Sequence, residues 1–126
     1  MAEKAVRTDR APAPAGAYSQ GVVAGGFLFT SGLGPQDPVD GIVAPSVGEQ
    51  TAQVLANISA VLAEHGLTLD DVVRATVHLE SLKADFAEFD AVYEEHFSAP
   101  YPVRTTVGSD LADILVEIDV VAKLRA

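Results

Sequence analysis

The sequence predicts a two-layer α+β sandwich with element order ββ-α-β-α-ββ. Three observations carry that reading. Two segments hold apolar residues at helical spacing, and each has a single apolar face. Stretches of strand-like character stand before, between and after them. Two helices with one apolar face each suit a single side of a sheet.

Residues 1–16 end in Ala-Pro-Ala-Pro-Ala-Gly and read as an extended arm, which leaves 17–126 as one domain. Ala17–Val23 and Phe27–Ser31 read as strands joined by the turn Ala24-Gly25-Gly26. Pro35, Pro38 and Pro45 break the chain from Gly32 onward into a loop. Ser46 and Glu49 then form a Ser-x-x-Glu capping box, and Gly66 stands where a helix-ending glycine belongs. Between them Val54, Leu55, Ile58, Val61 and Leu62 make one helical face.

Val72–Glu80 alternates, with Val73, Ala75, Val77 and Leu79 on one face and Arg74, Thr76, His78 and Glu80 on the other. A second helix is expected over Asp85–Phe97, with Asp85 and Glu88 as a capping box. Phe86, Phe89, Val92, Tyr93 and Phe97 form its apolar stripe. Strands over Val103–Val107 and Ile114–Leu124 close the chain. The sheet face away from the helices carries Arg104, Thr106, Glu117, Asp119 and Val121 in this reading, half polar and half apolar. Such a face suits cover by a second copy, with pockets at the seams.

Composition narrows the function classes. A chain of 126 residues buries roughly two thirds of its unfolded surface, enough for a core without staples. It has no cysteine, hence no disulfide and no thiolate nucleophile, which fits a reducing cytoplasm. No apolar run approaches the length of a membrane span. The net charge is −10, and three of the eight basic residues lie in the first ten positions. No basic stripe is left for a phosphate backbone, so nucleic acid is not the expected partner. His65, His78 and His96 are dispersed, so no metal site is expected. Ser19, Ser31 and Ser109 lack a G-x-S-x-G setting. The glycine pairs lack a phosphate-loop fingerprint.

Between Ala11 and Ala122 the only basic residues are Arg74, Lys83 and Arg104. Arg104 stands on a predicted strand with no acidic neighbour in sequence. If the strands carrying Arg104 and Glu117 pair, both side chains can face one side of the sheet. Two readings then stand: a structural Arg–Glu bridge, or an arginine kept for a ligand carboxylate beside a glutamate that holds a water.

Several segments resemble the Rid (YjgF) family, whose members include imine and enamine deaminases. They are Ala17-Tyr18-Ser19-Gln20, Phe27 to Gly32, Glu49-Gln50-Thr51 through Asn57, Leu69 to Val73, Phe86 to Tyr93, and Pro102-Val103-Arg104 reaching to Glu117-Ile118. Their order and spacing cover nearly the whole chain. The resemblance implies a chorismate-mutase-like fold and a homotrimer with clefts between subunits. It implies hydrolysis of 2-imino acids to 2-keto acids and ammonia without a cofactor. It makes Arg104 the carboxylate-binding residue, Glu117 the residue that orients the water, and Tyr18 a cleft residue, and it places Ser31 and Gly32 along the cleft wall. The chain departs from the family pattern at Leu33, Asp90 and Thr106, where relatives often carry Gln, Asn and Cys. The Arg104–Glu117 segment is also shorter. These departures sit among the expected substrate contacts. A trimer that binds a carboxylate metabolite without turnover is the alternative reading, and an RNA-acting enzyme is a second one that the charge disfavours.

Overall fold

The computed structural model describes residues 4–126, and the first three residues of the arm lie outside the described part. The elements are β1 (Lys4–Val6), β2 (Gly21–Ala24), β3 (Phe27–Thr30), α1 (Val47–Ala63), β4 (Val72–Leu79), α2 (Leu82–His96), β5 (Val103–Gly108) and β6 (Val116–Lys123). The α+β sandwich is as expected: both helices pack on one face of a mixed six-stranded sheet. The strand order is β1-β2-β3-β6-β4-β5.

The arm does more than extend. Lys4–Val6 pairs antiparallel with β2 as an edge strand. Gln20, buried, ties down the rest: it accepts from the Thr8 amide at 2.7 Å and donates to the Thr8 and Pro12 carbonyls at 3.0 and 2.8 Å. Ala17–Gln20 is therefore not strand. It is the bend that this glutamine fixes.

Helix α1 forms as its caps dictate. The Ser46 hydroxyl accepts from the Glu49 amide at 3.1 Å and donates to the Glu49 carboxylate at 2.9 Å. Gly66 adopts φ +69° at the helix exit, where a side chain would be strained. Helix α2 departs from its expected start. It begins at Leu82 after Ser81, with no side-chain cap. Glu88 instead accepts from the Gly48 amide in the first turn of α1 at 2.8 Å, which joins the two helices.

Two features of the sheet differ from the sequence reading. A bulge between Val72 and Arg74 makes Val73 an extra residue, 42% exposed, and Val72 takes the core position. The last two strands are not neighbours. β4 lies between them, parallel to β5 and antiparallel to β6. The core under the helices is Leu28, Ala75, Val77, Leu79, Val116, Ile118, Val120 and Ala122 against Val54, Leu55, Ile58, Val61, Leu62 and Phe89. The opposite sheet face leaves Phe29, Val103 and Val107 exposed. Among the described residues, no helix is long and apolar enough to cross a membrane.

Candidate functional site

The predicted site residues fall into two groups, separated by the sheet. Arg104 is in register with Ala75 of β4, a core position beneath the helices. Glu117 is in register with His78, on the open face. Residues in register share a face. Arg104 and Glu117 therefore point to opposite sides, and the expected Arg104–Glu117 juxtaposition does not occur within one chain. Thr106 shares the face of Arg104, in register with Val77.

The first group surrounds Arg104. One Nη donates to Oδ1 of Asp90 on α2 at 2.8 Å, with side-chain exposures of 21% and 41%. The guanidinium carbon lies 5.7, 5.3 and 4.6 Å from the ring centres of Phe86, Phe89 and Tyr93. The aromatic stripe thus has two duties: it fills the core and forms a platform beneath a cation. A stacked cation contributes about 0.5–2 kcal/mol, against about 0–1 kcal/mol for a partly exposed ion pair. The rings and Asp90 together hold the guanidinium in place. The Tyr93 hydroxyl is buried and has no hydrogen-bond partner among the described residues. Burial pushes its ionisation upward, opposed by the nearby Arg104 charge.

The second group lines a cavity of ≈ 360 Å³ that includes Tyr18, Gly32, Leu33, Ala112, Ile114 and Glu117. The Tyr18 hydroxyl accepts from the Ala15 amide at 2.9 Å, so its own proton is free to donate. Leu33 forms a bridge with Ile118, donating to its carbonyl at 2.9 Å and accepting from its amide at 3.1 Å. Its side chain is part of the core as well as the cavity wall. Ser31 does not line this cavity; its amide and hydroxyl both donate to the Gln20 carbonyl. Two buried polar side chains hold the surrounding loop. The Asn57 amide donates to the Gly34 and Gln36 carbonyls at 2.9 and 3.0 Å. The Gln50 amide donates to the Ala44 carbonyl at 2.8 Å. A larger groove of ≈ 510 Å³ lies elsewhere, between α1 and this loop. Asp37, Asp40 and Glu49 line it, so it offers an anion no counter-charge.

Gly32 is required by this geometry. A Cβ there would stand 2.6 Å from Oε2 of Glu117. We expect Gly32→Ala to push the Glu117 carboxylate aside and lower kcat/KM of the activity proposed below about tenfold. The midpoint of thermal unfolding should move by no more than about 5 °C, because the clash involves the mobile end of a side chain. Steady-state kinetics beside a thermal melt would check this, and unchanged kinetics would remove the constraint.

The family profile described as Endoribonuclease L-PSP matches residues 8–124. The chain belongs to the Rid (YjgF/RutC) family. The 2-iminobutanoate/2-iminopropanoate deaminase of Salmonella typhimurium is 39% identical over 127 residues, covering 97% of this chain and 98% of that one. RidA from an Antarctic Psychrobacter superposes with a TM-score of 0.91 at 34% identity, covering 97% of this chain and 100% of that chain. TdcF of E. coli, crystallised with bound serine, superposes with a TM-score of 0.89 at 35% identity, covering 98% and 100%. The sandwich with two helices on one sheet face is thus the Rid fold. Sequence reading of this Rid chain missed the aromatic platform as a cation holder. The signal was present: three rings on one helical face and a lone arginine downstream.

Proposed function

We propose that this protein hydrolyses reactive enamines and 2-imino acids to 2-keto acids and ammonia. The observation that carries the reading is the cavity that gathers Tyr18, Gly32, Leu33 and Glu117, in a chain 39% identical to an imine deaminase. A protonated imine carbon is already electrophilic, so the reading uses no metal or organic cofactor. Arg104 takes the substrate carboxylate with its free N–H groups. Glu117 accepts a hydrogen bond from a water and aims its oxygen at the imine carbon. Addition of that water gives a carbinolamine. Its C–N bond breaks, ammonia leaves, and the carbonyl of the keto acid forms. Serine bound to the related TdcF supports a ligand with a carboxylate on its α-carbon.

One chain does not present Arg104 and Glu117 to the same substrate, because they face opposite sides of the sheet. A homotrimer with clefts between neighbours answers that requirement, with Arg104 of one copy facing Glu117 of the next. The exposed Phe29, Val103 and Val107 on the open face support such an assembly. The family description names an endoribonuclease. The charge of −10 and the scarcity of basic residues favour the small-molecule reading.

The direct test generates 2-imino acids in situ with an amino-acid oxidase and follows keto acid and ammonia. The expected result is release faster than the uncatalysed rate. No acceleration across small and bulky imines would overturn the reading. Thermal stabilisation by keto acids without turnover would establish the binding protein instead.

A further inference from the structure

We infer that Asp90 is a specificity-determining residue that competes with the substrate's carboxylate for Arg104, so that this site holds carboxylate ligands less tightly than it would with an uncharged side chain there. The inference rests on the proposed role of Arg104 as the ligand clamp.

The guanidinium is held on one side only. A guanidinium has five N–H donors. Asp90 engages one Nη through a single oxygen, and no second ion pair to the guanidinium is found among the described residues. Phe86, Phe89 and Tyr93 keep the group in place from below. The Tyr93 hydroxyl is buried in the same cluster. A guanidinium paired through one Nη alone keeps donors for a ligand's polar end.

What that end can be follows from charge. Arg104 carries one positive charge, and Asp90 already offsets it at 2.8 Å. A substrate carboxylate entering here meets a neutralised pair. It either displaces Asp90 or sits beside a second carboxylate, and like charges at hydrogen-bonding range repel strongly. A bidentate grip is open only once Asp90 has moved away. A neutral acceptor, such as a carboxamide oxygen, meets no such repulsion and needs only the donors that are free. An uncharged side chain in place of Asp90 would remove the conflict, as the Asn that the family often carries there illustrates. Asp90 thus weakens the hold on a 2-imino acid's carboxylate and leaves the hold on an uncharged carbonyl end little affected.

The test measures binding directly by calorimetry, with 2-oxobutanoate and its uncharged amide 2-oxobutanamide, on the wild type, Asp90→Asn and Arg104→Ala. The expected result is that Asp90→Asn tightens 2-oxobutanoate about tenfold and moves 2-oxobutanamide by less than about twofold. The same charge selectivity should show as a lower KM for small 2-imino acids with kcat little changed. A purely structural role for Asp90 would shift both ligands together, and that outcome overturns the inference. So does an unchanged affinity for 2-oxobutanoate in Asp90→Asn. Asp90→Ser serves if the asparagine variant misfolds. If both ligands bind the wild type and Arg104→Ala equally, the clamp itself falls, and the deaminase reading loses Arg104 independently of Asp90.

Discussion

Arg104→Ala is expected to lower kcat/KM for 2-imino acid hydrolysis by at least about 10³. The substitution removes the cation of this cluster, and with it the group proposed to fix the imine relative to the water. The loss should appear in both kcat and KM, because orientation and binding are lost together. Folding should survive. Asp90 is partly exposed, so its carboxylate can take up water once its partner is gone. The Phe86, Phe89 and Tyr93 platform remains packed against the core through Phe89 and Tyr93. Arg104→Lys separates charge from shape. A lysine keeps the positive charge but lacks the planar fork and stacks less well on the rings. It should recover no more than about a tenth of the wild-type rate. The coupled oxidase assay, run at several substrate concentrations, checks both variants. An alanine variant as fast as the wild type would remove Arg104 from the mechanism.

How much of this was legible in the sequence depends on whether the determinant is local. The start and end of α1 were, because Ser46, Glu49 and Gly66 act within a few residues of the helix they delimit. The phase of β4 was legible only from Arg74 onward. A bulge inserts one residue, and simple alternation then misplaces everything before it, here Val72 and Val73. The partner of Arg104 was not legible. Consecutive strands commonly pair, and that expectation brought Arg104 to Glu117. The chain instead returns β6 between β3 and β4, so the two residues occupy different strand neighbourhoods and opposite faces. Register is set by pairing far along the chain, and one position of difference flips a side chain across the sheet. The capping role expected of Glu88 failed for a related reason. Its carboxylate finds an amide of α1, 40 residues earlier, rather than one in its own first turn. Gln20, Gln50 and Asn57 read as ordinary polar residues, yet each is buried and ties a loop carbonyl, and the carbonyls held by Gln20 and Asn57 belong to residues of the cavity wall.

The opposite facing of Arg104 and Glu117 leads to the second large effect. Glu117→Gln keeps the size of the side chain and removes its charge, so an oriented water loses its strongest acceptor. We expect kcat to fall by about 10²–10³ with KM nearly unchanged, because the residue holds the water rather than the substrate. Mixing then tests where the site lies. Arg104→Ala and Glu117→Gln are each expected to be nearly inactive alone. Co-expressed in equal amounts and assembled at random, they rebuild a site wherever an intact Arg104 of one copy meets an intact Glu117 of its neighbour. With one half of copies intact at each position, about a quarter of the clefts should be complete, giving about a quarter of the wild-type rate. A site contained in one chain predicts no recovery, since every copy then carries a defect. Recovery to that level, with assembly size measured by light scattering, would establish that this chain's chemistry is divided between subunits. An inactive mixture of correctly assembled oligomers would place both residues in one chain's site and overturn the shared cleft.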